Sequence, residues 1–148
     1  MDKNFLESYL NTHIPLSQHL GIKVRKAGSD KVILYVPLEP NINHKQTAFG
    51  GSIHAAATLA CWSVMFINLK KHDSSIEIVI SRSEIEYLVP LKDDFIVESI
   101  APDKEEWLLF EERLNKKGKA RIQLNATIKQ EHNMLAVNYL GDFVAIKK

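Results

Sequence analysis

The chain has 148 residues, enough for one domain that buries roughly two thirds of its unfolded surface without disulfide or metal staples. Nineteen Lys and Arg stand against eighteen Asp and Glu, and the resulting formal charge of +1 supplies no field to draw in nucleic acid or an anionic membrane. The single cysteine, Cys61, excludes an internal disulfide and a cysteine zinc cluster and fits a reducing compartment, so a cytoplasmic location is expected.

The opening stretch MDKNFLESYL has no basic region followed by an apolar one, and no signal peptide is read there. Phe5, Leu6, Tyr9 and Leu10 recur at helical spacing and predict a short amphipathic helix over residues 4–12; Pro15 opens a second short turn ending near Gly21. Residues 22–27 and 31–37 read as strands joined through Gly28, Ser29 and Asp30, hence a hairpin. Residues 38–49 form a long loop, and a connection of that length in a compact domain points to function. A helix over residues 52–71 follows. No charge falls between Ile53 and Leu69, which approaches bilayer-spanning length, but His54, Thr58, Ser63 and Asn68 interrupt the run. A helix apolar nearly all round is otherwise the buried helix of a core, so no membrane partner is expected.

Past that helix the hydrophobic period changes to two. Residues 76–89, 95–101, 107–115, 120–131 and 135–146 read as five strands, with breaks at Pro90, Pro102, the Lys117-Gly118 turn and His132-Asn133. A strand pair, one long buried helix and an antiparallel run of strands describe a single α+β domain over residues 1–148 whose sheet wraps around the helix.

Four motifs, PLSQHLGI, PNINHKQTAFGGSI, SEIEYLVPLKDDF and NKKGKARIQL, stand in the order seen in thioesterase domains of the YiiD C-terminal type, and the resemblance covers nearly the whole chain. The chain resembles that family, which implies the hotdog fold and hydrolysis of acyl-CoA or acyl-carrier thioesters. Coenzyme A enters only as part of the substrate, and neither a further cofactor nor a metal is expected.

Gly50 and Gly51 open the long helix. The first N–H groups of a helix lack internal partners and carry partial positive charge, so with a bare backbone there a thioester carbonyl can approach residues 50–52 and its oxyanion can be held. The alternative is that the glycines only permit a tight turn, with Ser52 as the N-cap. The resemblance favours the first reading and places Phe49, Gly50, Gly51 and Ser52 in the substrate site. In related hotdog thioesterases with an Asn...His-Gly-Gly arrangement the Asn helps position the attacking water, which implies that role for Asn43, eight residues before Gly51; Thr47 is expected in support.

Two positions depart from the relatives. Phe49 stands where they carry a His, and Thr58 stands where they carry an Asp or Glu. A neutral hydroxyl cannot take a proton from water, so Thr58 orients without activating. His44 and His54 are the nearby groups of a type that titrates near neutrality; His44 is expected as the base and His54 in support, each against a purely structural alternative. Ser83 is expected to project toward the helix, either holding water or bonding to a neighbouring strand.

Cys61, among apolar neighbours, is read as core. Lys116, Lys117, Lys119 and Arg121 read as a charged hairpin tip or as a contact for coenzyme A phosphates; they lack the aromatic interleaving of a nucleic-acid site. Pairing of exposed strand edges predicts a homodimer or a dimer of dimers. A non-catalytic acyl-thioester binder and a 3-hydroxyacyl-thioester dehydratase are the alternatives to hydrolysis. The missing helix acid supports the binder and weighs against the dehydratase.

Overall fold

The computed structural model describes residues 1–70 and 75–148. Helix α1 (Lys3–His13) starts where the Asp2 carboxylate accepts the backbone N–H groups of Asn4 and Phe5, and it buries Leu6 and Leu10, one turn apart. A short helix α2 (Leu16–His19) leads into the hairpin of β1 (Lys23–Ala27) and β2 (Lys31–Val36). Helix α3 (Gly50–Lys70) follows the long loop. Then come β3 (Ile76–Tyr87), β4 (Phe95–Ile100), helix α4 (Lys104–Lys117), β5 (Lys119–Lys129) and β6 (Leu135–Lys147).

The six strands form one sheet in the order β1-β2-β4-β5-β6-β3, every neighbouring pair antiparallel. Helix α3 lies at its centre, packed against the sheet from β1 to β6. Ala56, Ala57, Ala60 and Cys61 are buried where it meets the strands, and such small side chains let the sheet close around the helix axis. In β5 the inward set Ala120, Ile122, Leu124, Ala126 and Ile128 alternates with exposed residues, as a sheet with one wet face requires. This is the hotdog fold. Gly50–Leu69 is long and apolar enough to cross a membrane by length and composition, but most of it is buried inside the fold, where it is the core helix.

One expected strand is a helix. Residues 107–115 belong to α4, so four strands follow α3 rather than five. Local chemistry explains the difference: Asp103 caps the helix by accepting the Glu106 N–H at 2.8 Å, and Glu105 and Glu106 occupy the positive end of the dipole. Lys116 and Lys117 occupy the negative end, and Gly118, at φ 72°, supplies the left-handed C-cap. Phe110 and Leu114 are buried one turn apart with Trp107 packed beside them, a helical stripe that period two misreads. The basic cluster is therefore no hairpin tip. Lys116 and Lys117 end a helix, Lys119 and Arg121 begin β5, and Lys116 pairs with Glu112 at 2.9 Å.

Candidate active site

The loop before α3 is stitched down along its length. At its start the Asp94 carboxylate accepts the Leu38 N–H at 2.7 Å and the Tyr35 hydroxyl, while Arg25 sits 4.5 Å over the Tyr35 ring. The Leu38 N–H, and after it the Tyr35 hydroxyl, hold the Asp94 carboxyl below its ordinary range. Midway, the buried Asn41 side chain donates to Leu20 O and Pro37 O at 2.8 Å, and the Asn41 backbone carbonyl accepts the Phe49 N–H at 2.7 Å. The Ala48 N–H reaches Leu91 O at 2.8 Å.

Asn43 closes the tip of this loop. Its Oδ1 accepts the backbone N–H groups of Lys45 and Thr47, and its Nδ2 meets the Thr47 hydroxyl at 2.9 Å. The Asn43 N–H donates to Thr47 O, so the two residues join at both backbone and side chain. His44 is exposed at the tip. Thus Asn43 and Thr47 come together in a turn that engages both ends of the Asn43 carboxamide, and His44 is not among the residues lining the cleft described next.

Helix α3 begins two residues before the expected cap. Ile53 N–H donates to Phe49 O, and Ser52 lies inside the first turn rather than capping it. The N–H groups of residues 50–52 come before the first rung of the helix ladder, as an anion site at a helix start requires. Neither glycine needs a left-handed backbone. A Cβ on Gly51 would come 2.5 Å from the ring of Phe49, which folds back over the helix start while remaining 56% exposed. At Gly50 a Cβ would only touch the Tyr87 ring at 3.5 Å, and the Tyr87 hydroxyl donates to Gly50 O at 2.9 Å.

One turn into α3, the side chains converge. His54 Nε2 lies 2.9 Å from Ser83 Oγ on β3, and the His54 ring meets Tyr139 of β6 edge-on at 5.3 Å. Thr58 donates its hydroxyl hydrogen to His54 O at 2.9 Å. With that hydrogen committed, the Tyr139 hydroxyl, 2.8 Å away, is the donor to Thr58 Oγ1. Burial pushes the Tyr139 hydroxyl up to about 12, outweighing hydrogen bonds with Thr58 and Ser83, so it stays protonated and donating near neutral pH. The Tyr139 ring has space because residue 141 is glycine: a Cβ there would lie 2.9 Å from its hydroxyl.

His54, Thr58 and Ser83 line one end of an open cleft of about 600 Å³ between α3, β3 and the junction of α1 and α2, within the usual size of a ligand site. Leu59 and Trp62 continue the helix wall, Ile14 and Leu16 form the opposite side, and Ile80 lies on the strand. No Asp or Glu lines the cleft among the described residues. A bulge between Ile80 and Arg82 in the pairing of β3 with β6 interrupts alternation, so Ser81, Arg82 and Ser83 all line the cleft instead of facing opposite sides in turn. Cys61 is buried on the far side of the helix beside Ser99, and burial raises its thiol to about 12, as the core reading requires.

Tyr139 escaped the sequence reading, although one signal was present: a tyrosine on the inward face of a strand must bring its hydroxyl to a partner. Among the described residues, no group of three or more His, Cys, Asp or Glu could hold a metal ion.

Residues 3–147 match the family described as "Putative thioesterase (yiiD_Cterm)". A protein of unknown function from Chlorobaculum tepidum TLS has a similar structure, with 32% identity, a TM-score of 0.91 and coverage of 99% of this chain and 94% of that one. A structure from Shewanella oneidensis described as a putative thioesterase superimposes with a TM-score of 0.80 at 24% identity, covering 97% and 96% of the two chains. A probable thioesterase from Pseudomonas aeruginosa gives 0.85 at 19% identity, covering 100% and 97%. At those lower identities the likeness shows the shared fold. The match from residue 3 to residue 147 shows more: the chain belongs to the thioesterase family of the YiiD C-terminal type.

Proposed function

We propose that the protein hydrolyses small-molecule acyl thioesters, with coenzyme A or an acyl carrier as the leaving thiol. One observation carries the reading: an apolar cleft opens beside the start of α3, and its polar end holds an imidazole fixed by Ser83. The thioester carbonyl sits against the N–H groups of residues 50–52, where the helix dipole and bare glycine backbone stabilise the oxyanion formed by water attack. His54 is the base. When its Nε2 carries a hydrogen to Ser83, Nδ1 is left to accept a proton from the attacking water, and the same proton then serves the leaving thiolate. Ser83 and the edge of the Tyr139 ring are the positioning groups that touch this imidazole, and Thr58 fixes the Tyr139 hydroxyl. Asn43 and Thr47 shape the loop that delivers Phe49 to the helix start.

A non-catalytic binder of the same esters is the second reading, favoured by the absence of a carboxylate from the described lining of the cleft. Release of free thiol from acyl-CoA esters separates the two. Hydrolysis predicts turnover well above the uncatalysed rate, whereas a binder gives saturable affinity and no thiol.

Assembly belongs to the same proposal. Strand β3 ends the sheet, leaving one edge of twelve residues without a neighbour among the described residues, with Val79 46% and Ile80 39% exposed. A second copy paired along that edge satisfies its backbone groups and covers those side chains, giving a homodimer. The near-zero net charge suits a cytoplasmic protein with no nucleic-acid partner.

A further inference from the structure

The two ends of the cleft differ in chemistry. Three contacts fix how α3 lies on β3: Tyr87 to Gly50 O at 2.9 Å, His54 to Ser83 at 2.9 Å and the Trp62 indole N–H to Ile78 O at 3.4 Å. The helix therefore runs opposite to the strand, with the polar groups near its start and the indole two turns farther along. His54, Ala55, Thr58, Leu59 and Trp62 form one stripe along this cleft. Past Thr58 the helix and the α1–α2 junction offer only the apolar walls Leu59, Trp62, Ile14 and Leu16.

At the far end Trp62 heads an aromatic column. Trp62 stacks on Phe66 with centroids 5.0 Å apart and planes 13° from parallel, Phe66 stacks on Tyr9 of α1 at 4.5 Å, and Tyr9 stacks on His13 at 4.0 Å. A wall shared by two helices and tied to the edge strand through its indole yields less than a lone side chain would. His54 and Trp62 both lean toward the helix start, so the imidazole beside the carbonyl and the indole are separated by the rise of eight residues, about 12 Å. An extended hydrocarbon advances about 1.3 Å per carbon, given C–C bonds near 1.5 Å, so about eight to ten carbons fit between carbonyl and indole.

We infer that Trp62 measures the acyl chain and that the substrate is a straight, medium-chain acyl thioester of about eight to ten carbons. The inference rests on the proposal that the thioester carbonyl sits at the start of α3. An acetyl group leaves the apolar walls uncovered; a sixteen-carbon chain overruns the column and leaves methylenes in water.

The experiment uses saturated acyl-CoA esters of two to sixteen carbons for thiol release, with non-hydrolysable S-alkyl coenzyme A thioethers of matching lengths for affinity. Both profiles should peak at eight to ten carbons and fall at least about tenfold at two and at sixteen. Trp62→Ala should move the peak to longer chains, and Trp62→Phe, which keeps the stack, should move it less. Circular dichroism reports whether each variant is folded; the wild-type profile tests the inference without any variant. A flat wild-type profile, or an unchanged peak in folded Trp62→Ala, overturns the ruler and leaves hydrolysis standing. A peaked thioether profile without thiol release supports the ruler and overturns hydrolysis. Failure to bind thioethers of any length overturns both.

Discussion

Asn43 and Gly51 are small residues with structural contacts of their own beside the roles that spacing suggests. The Asn43 carboxamide spends its hydrogen bonds inside its own turn, so Asn43→Ala should lower unfolding free energy by about 1–2 kcal/mol, the loss of one or two net hydrogen bonds. Urea denaturation measures this, and a variant with wild-type stability but greatly reduced kcat would return Asn43 to positioning water. Gly51 leaves space that Phe49 fills, so Gly51→Val must displace that ring as well as crowd the helix start. If the backbone of Gly51 meets substrate, Gly51→Val should weaken thioether binding at least about tenfold in both the Phe49 and Phe49→Ala backgrounds. Recovery of affinity in the double variant would confine Gly51 to making room for the phenyl ring.

At the scale of the element, α4 shows how a helix is specified by its ends. Gly118 has φ 72°, and a methyl group placed on its Cα would meet nothing within 4 Å, so Gly118→Ala carries backbone strain without a clash. Thermal or urea unfolding should show a loss of about 1 kcal/mol, and no loss would contradict the left-handed cap. This same helix marks the limit of what was legible in the chain. The hairpin, the core helix and the strands from Ile76 onward announce themselves through period and turn residues, but Trp107-Leu108-Leu109-Phe110 is an apolar run that fits either period. Asp103, the following acids and Gly118 decide for the helix, and they are legible only when the caps are weighed before the run. In the candidate site, the glycine pair, His54, Thr58 and Ser83 could be named from the sequence, and their spacing anticipated that Ser83 would face the helix. Tyr139, Trp62 and Ile14 could not be joined to them, because a cleft made by β3, α3 and the α1–α2 junction, with Tyr139 of β6 bonded behind it to Thr58, depends on long-range packing that no local pattern encodes.

For the molecule as a whole, pH and association report on the fold. Burial raises Cys61 from 9.0 to about 12 and Tyr139 from 10.0 to about 12. The unfolded chain releases these protons first, so their contribution to stability is fully present below pH 9 and is lost as pH rises from about 9 toward 12. Urea midpoints should hold steady from about pH 7 to 9 and fall above it, less steeply in Cys61→Ala than in the wild type; equal slopes would argue against the buried thiol as a source. Light scattering should give twice the 16.8 kDa of the chain, and a charged substitution at Val79 on the open edge should shift it toward monomer. A wild-type monomer at working concentration would remove the β3 pairing.

The most direct test of thioester hydrolysis at the start of α3 compares kcat for His54→Asn and His44→Ala on a medium-chain acyl-CoA ester, measured as thiol release by folded protein. An imidazole held by Ser83 beside the carbonyl predicts a fall of about 10² or more for His54→Asn, with thioether affinity largely kept, and little change for His44→Ala. Full activity in His54→Asn, together with its loss in His44→Ala, would contradict the account and move the base to the loop.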